Sequence, residues 1–429
     1  MAAALVPREL ASWGLTSIAL GALEGGLLGI IVKNQFAGVA SPALVNLAVA
    51  VVAAAPSFSN LSSFWFARLA TGRNKLSLLS GLMVVMGTGL AIMALPGINA
   101  AGLLVFTLMG VVARTAWSGI LTIRAAVWRA NYAREWRGHV TARIVQLGSL
   151  LVAAYSALIG YLLDWSEYFF RPAFLLGAGC SLLAAYVYRR GKIRRHRRLL
   201  LAELSEQSLQ GNRLSGRVLL DLLGRDRDFR HYMIGMMVFG SGNLMLLPML
   251  VVLINDRLQI SQFNQVMITS SLPLLILCFS ISYWARILAR LHIFTYRAIH
   301  SWFFVLSSSL FALAVILDSV TLLWPASVML GFAYAGGHLG WNLGHNDFSS
   351  DGNASHYMAI HVTLTGLRGL VMPLLGVAFY QWLTEQSVSA AAYSLLFPLS
   401  LTLLGSIGFV FLHFDRRLTS DHPHRKPHP

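Results

Sequence analysis

The chain has 429 residues, of which 56% are hydrophobic and only 12% charged. A soluble domain carries roughly 25% charged residues, so one large soluble core is excluded. The formal net charge of +16 calls either for an anionic partner or for a sided membrane topology, and its placement along the chain decides between them.

Twelve apolar runs follow one another, at about 12–32, 41–58, 76–96, 101–122, 142–164, 168–188, 232–253, 262–284, 296–317, 321–344, 357–381 and 390–413. At about 1.5 Å rise per residue, most are long enough to cross a hydrocarbon core of about 30 Å as helices. The first, ASWGLTSIALGALEGGLLGIIV, has no cleavage-site pattern behind it and is read as a membrane helix, not a signal peptide. Glu24 lies near its centre, followed by Gly25 and Gly26. A charge at that depth costs on the order of 2.5–3.5 kcal/mol on insertion scales, so such residues face a cavity and carry function as a rule. After span 2 comes SFWFARLATGRNK (63–75); span 4 holds Arg114 at mid-depth, and span 5 holds Tyr155. A polar stretch at 191–230, opened by RRGKIRRHRR (189–198), has no apolar run and suits one or two amphipathic surface helices. Span 7 carries Asn243 within Gly240-Ser-Gly242-Asn, and span 8 is followed by SYWARILARLHIF (282–294). Span 10 holds Tyr334, and its end is rich in His338, Trp341, Asn342, His345, Asn346 and Asp347. Span 11 begins with His356 and His361 and carries Arg368 between Gly366 and Gly369.

With the N-terminus inside, 28 of the 33 Lys and Arg fall on the cytoplasmic side, against Lys33, Arg171 and Arg257 outside. That bias places both termini and the 191–230 stretch in the cytoplasm and suits a bacterial-type inner membrane. The basic run then meets anionic lipid heads, and no nucleic-acid partner is expected. The chain divides into a six-helix bundle at 1–190, a linker at 191–230, a second six-helix bundle at 231–413 and a tail at 414–429. The bundles echo each other: Trp-Phe-Ala-Arg after span 2 answers Trp-Ala-Arg after span 8. Asn131-Tyr132 precedes Trp165 much as Asp347-Phe348 precedes Trp382, which is the mark of a duplicated unit.

In this layout the chain resembles the major facilitator superfamily over essentially its whole length. GRNK (72–75) is similar to the tail of that family's Gly-x-x-x-Asp-Arg-x-Gly-Arg-Arg/Lys loop, with Leu69 at the acidic position and Trp65 at the first glycine. Arg114 and Gly119 resemble the Arg-x-x-x-Gly element of span 4 at a spacing one residue longer, and span 5 lacks the Gly-Pro pair of drug antiporters. The resemblance implies an all-α membrane fold of two pseudo-symmetric six-helix bundles working by alternating access. Spans 1, 4, 7 and 10 would surround a central cavity, flanked by 2, 5, 8 and 11.

On that frame Glu24 and Arg114 are candidates for proton coupling, with a purely structural ion pair as the other reading. Arg368, Asn243, Tyr334 and Tyr155 are candidates for substrate contact, though the two tyrosines and the amide also suit helix packing. Arg68, Arg73, Lys75, His345 and Asp347 are candidates for a cytoplasmic gate. The histidines near His345 could hold a transition metal or make gate hydrogen bonds; their spacing, without a cysteine, favours the second, and no metal is expected. Cys180 and Cys278 lie within spans, so no disulfide framework is implied. No Walker-type loop, Ser/His/Asp set or HExxH pair is present, so neither direct use of ATP nor an enzyme is expected, and no cofactor. One acid and two bases at the midplane point to a secondary transporter of a small anionic solute in symport with protons. Export of drug-like solutes, transport of iron or another metal, and a non-transporting membrane scaffold or sensor are the alternatives.

Overall fold

The computed structural model describes residues 2–132, 134–191, 193–194, 196–197, 200–201, 203–204, 216–349 and 354–420. Twelve helical spans long and apolar enough to cross a membrane are present among them. The first six are Pro7–Gln35, Pro42–Ala70, Lys75–Ala94, Ala100–Trp128, Arg143–Trp165 and Glu167–Arg189. The second six are Arg227–Leu258, Gln262–Leu288, Ile293–Ile316, Val320–Asp347, His356–Gln386 and Val388–Asp415. The count agrees with the apolar runs, and the helices outrun them at most ends, because a bilayer leaves backbone groups no partner but the helix itself. Much of the 191–230 linker, where amphipathic helices were expected, and the tail from 421 on lie outside the described residues.

Side-chain caps fix several helix starts. Ser41, Asn74, Asn99, Asp226 and His292 each accept from backbone N–H groups at the first turn of spans 2, 3, 4, 7 and 9. The even number of spans leaves both ends of the chain at one end of the bundle, here the termini end; the other is the far end.

The packing repeats between halves. Spans 1 and 6 pack as 7 and 12 do, 1 and 5 as 7 and 11, 3 and 4 as 9 and 10, and 3 and 6 as 9 and 12. The halves meet through spans 2 and 11 and through spans 5 and 8, which are again equivalent pairs. The fold is therefore two six-helix bundles related by a pseudo-two-fold axis.

Candidate functional site

Span 1 is broken at its middle. One helix ends at Ala22, Glu24 takes an extended conformation (ψ 135°), and a second helix runs Gly25–Gln35. Two consecutive glycines, poor helix formers, supply the weak point. Glu24 repairs it with its own side chain: Oε2 accepts from the backbone N–H of Gly26 at 2.7 Å and of Leu27 at 3.4 Å. The carboxylate thus caps a half-helix whose dipole favours negative charge at that end.

The same oxygen accepts from the Ser270 hydroxyl of span 8, in the opposite half. Ser270 lies in a one-turn π-helix, Met267–Ser271, a local widening frequent at functional sites. The approach depends on Gly26: a Cβ there would lie 2.3 Å from Ser270 Oγ and 2.8 Å from Thr269 Oγ1. Three donors therefore converge on one carboxylate oxygen, two from the N-terminal half and one from the C-terminal half.

Arg114 of span 4 and Tyr334 of span 10 both feel the charge of Glu24. Arg114 is buried, its Nε has no hydrogen-bond partner, and no carboxylate stands within 4 Å of the guanidinium among the described residues. The two charges of spans 1 and 4 are neighbours without an ion pair.

The other expected contacts lie elsewhere. Tyr155 donates its hydroxyl to the Ala173 carbonyl of span 6 at 2.6 Å, inside the N-terminal half. Asn243 turns toward span 12, where its Oδ1 accepts from Thr402 at 3.5 Å. Arg368 crosses span 7 over Gly240 and donates to the Met236 carbonyl, which carries its head toward the termini end.

At the far end the halves are tied by a network that the sequence did not single out. Lys33 Nζ stands 2.8 Å from Asp256 Oδ1 and donates to Asn46 Oδ1 at 2.7 Å; Tyr380 donates to Asp256 Oδ2 at 2.8 Å. Asn255 donates to Asn34 at 2.6 Å, and Asp164 accepts from the backbone N–H of Gln262 at 2.7 Å. The only hint was a lysine on the side that disfavours one.

Of the expected gate residues at the termini end, Arg68 and Asp347 make contacts within their own halves, and Lys75 pairs with the linker. Lys75 is buried, 2.7 Å from Glu203 Oε2, and Glu203 also accepts from Gly72 N–H at 3.0 Å. The acid absent at Leu69 thus comes from the linker. Arg68 lies over Phe64, with 5.5 Å to the ring centroid, and Arg73 is exposed. Asp347 accepts from Ile293 N–H at 2.6 Å, and His345 is buried.

A pseudo-symmetric twelve-span bundle with a broken helix and buried charges at its centre defines a membrane transporter. Residues 10–373 match the Major Facilitator Superfamily, and the chain belongs to that family. No curated protein matches the chain in sequence. Solved structures show the same fold. A D-xylose-proton symporter is 13% identical with a TM-score of 0.71, covering 94% of this chain and 96% of its own. The inward-open xylose transporter XylE from E. coli is 12% identical with a TM-score of 0.66, covering 96% and 95%. The POT family transporter PepTSo is 12% identical with a TM-score of 0.69, covering 96% and 98%.

Proposed function

We infer that this transporter carries a small anionic solute together with protons, and that Glu24 is the group that takes up and releases the proton. The observation that carries the reading is the placement of one carboxylate oxygen between a helix break in one half and Ser270 in the other. Ionised, Glu24 makes charge-assisted bonds to Gly26, Leu27 and Ser270. Protonated, it holds the cap and the cross-half bond more weakly, so the proton's arrival loosens the joint between halves. Arg114, which lacks a paired carboxylate, then leaves the centre positive and suited to an acid group on the solute, with Tyr334 offering a hydroxyl from the other half. Solute and proton together neutralise the site, which favours symport over export.

The positive-inside bias puts the termini end in the cytoplasm. The far-end ties then close the outer side. The test is uptake into proteoliposomes, under an imposed pH gradient, of a solute found by thermal-shift screening of carboxylates and phosphorylated metabolites. Accumulation that follows the gradient supports the reading; uptake indifferent to it removes proton coupling.

A further inference from the structure

Each half buries arginine near the termini end, but among the described residues only the N-terminal half supplies a counter-charge. In the N-terminal half, Arg124 Nε donates to Glu9 Oε1 at 2.7 Å, and its guanidinium lies 4.0 Å from the Trp13 ring centroid. Trp128 donates to the same Glu9 oxygen at 2.7 Å. In the C-terminal half, Arg297 of span 9 and Arg368 of span 11 are 1% and 5% exposed, and neither forms an ion pair with a carboxylate among the described residues.

Around these two arginines several buried polar atoms are unpartnered. Arg297 Nε and Nη2, Arg368 Nε, both ring nitrogens of His361, Nδ1 of His345 and the Tyr232 hydroxyl are buried without hydrogen bonds. They belong together: the His361 and Tyr232 ring centroids are 6.3 Å apart, Arg368 donates to Met236 one turn along span 7 from Tyr232, and Arg297 packs on Gly340, one turn along span 10 from the Gly344 that faces the Tyr232 hydroxyl. Glycines make the space. A Cβ at Gly340 would lie 2.9 Å from the Arg297 guanidinium carbon, and one at Gly344 would lie 3.0 Å from the Tyr232 hydroxyl. Asp347, on the adjoining turn, accepts from the start of span 9.

Buried polar groups are hydrogen-bonded almost without exception, and a buried charge left unpaired is strongly unfavourable. Two guanidiniums, two imidazoles and a phenol, all able to donate and each with at least one buried polar atom unpartnered, have the chemistry of an oxyanion receptor. We propose that spans 7, 9, 10 and 11 hold a phosphate-class oxyanion between Arg297, Arg368, His361 and Tyr232, at a site separate from the Glu24 centre. The oxyanion is either free in solution or the headgroup of an anionic lipid entering from the leaflet at that end.

The test is thermal unfolding of the purified full chain, delipidated in neutral detergent, with inorganic phosphate titrated against chloride at matched ionic strength. A parallel series uses nanodiscs of phosphatidylglycerol or phosphatidylcholine. Expected is a saturable stabilisation by phosphate, or by phosphatidylglycerol over phosphatidylcholine; the first assigns a free oxyanion and the second a headgroup. R297Q and R368Q should weaken it by about tenfold or more, as loss of a charge-assisted donor does, and Y232F by a few-fold. R297Q should also melt no lower than the parent in anion-free detergent, because it removes an unpaired charge. No saturable stabilisation in either series overturns the proposal. So does an equal shift in the parent, R297Q, R368Q and Y232F.

Discussion

Lys33 at the end of span 1 and Asp256 at the end of span 7 stand 2.8 Å apart, nitrogen to oxygen, across the boundary between the two halves. Lys33 is almost fully buried, and Asn46 and Tyr380 add hydrogen bonds to the pair. Hydrogen bonds to charged groups contribute about 1.5–3 kcal/mol, so losing this tie should shift the open and closed populations of the far end by roughly tenfold or more. Nitroxide labels at Ala43 and Glu385, whose spans are joined by the Gln381 to Ala43 hydrogen bond, report the separation. Lys33→Ala should add a longer component to a short, narrow distance distribution. A distribution unaltered by Lys33→Ala and Asp256→Ala would mean that the pair does not hold this end shut.

Gly26 is required by contact with span 8. Its missing Cβ is the space that lets Glu24 and Ser270 meet, whereas a Cβ at Gly81 of span 3 would meet nothing within 4 Å. Overpacking of this kind costs about 1–3 kcal/mol. Gly26→Ala should therefore reduce transport at least several-fold and lower the melting temperature. Gly81→Ala should be neutral or slightly stabilising, since alanine is the better helix former. Equal behaviour of the two variants in uptake and melting would remove the close approach of spans 1 and 8 from the account.

Arg124 is held by Glu9 and caged by Trp13, Trp128 and Tyr188, with ring centroids 4.0, 5.4 and 5.2 Å from its guanidinium carbon. Truncating one partner of a buried ion pair leaves the other uncompensated and costs about 3–5 kcal/mol. Arg124→Ala should melt well below the parent, and Arg124→Lys should recover only part of the loss because an ammonium cannot stack as the flat guanidinium does. A melting temperature insensitive to both substitutions would contradict a structural role for the cage.

What the sequence made legible follows from how long-range each feature is. The spans show plainly because a membrane helix is a continuous run of about 20 apolar residues. Glu24 shows because a carboxylate in such a run is rare, and Arg114 shows because an arginine at that depth is as rare. Which way a helix face turns is set by packing, so Asn243 and Tyr155, at suitable depths, point to spans 12 and 6. Ser270 was hidden because hydroxyls are ordinary in membrane helices. Lys33 and Asp256 are separated by 223 residues in sequence, and Arg297 sits near a span end, where an arginine normally reaches for the interface. Arg368 was visible as a charge at depth, but the company it keeps, His361 and Arg297, was not.

The central claim is that Glu24 joins proton uptake to the movement of the two halves, and one measurement bears on it most directly. Wild-type protein and Glu24→Gln are reconstituted at equal density, and accumulation of the screened solute is followed with and without an inwardly directed proton gradient, alongside exchange at equal pH. Glutamine keeps the side chain's length and an oxygen to accept from Gly26 and Ser270 but cannot take up the proton. The account predicts that Glu24→Gln loses gradient-driven accumulation while retaining a measurable share of exchange. Accumulation by Glu24→Gln that equals the wild type and follows the gradient as steeply would contradict it.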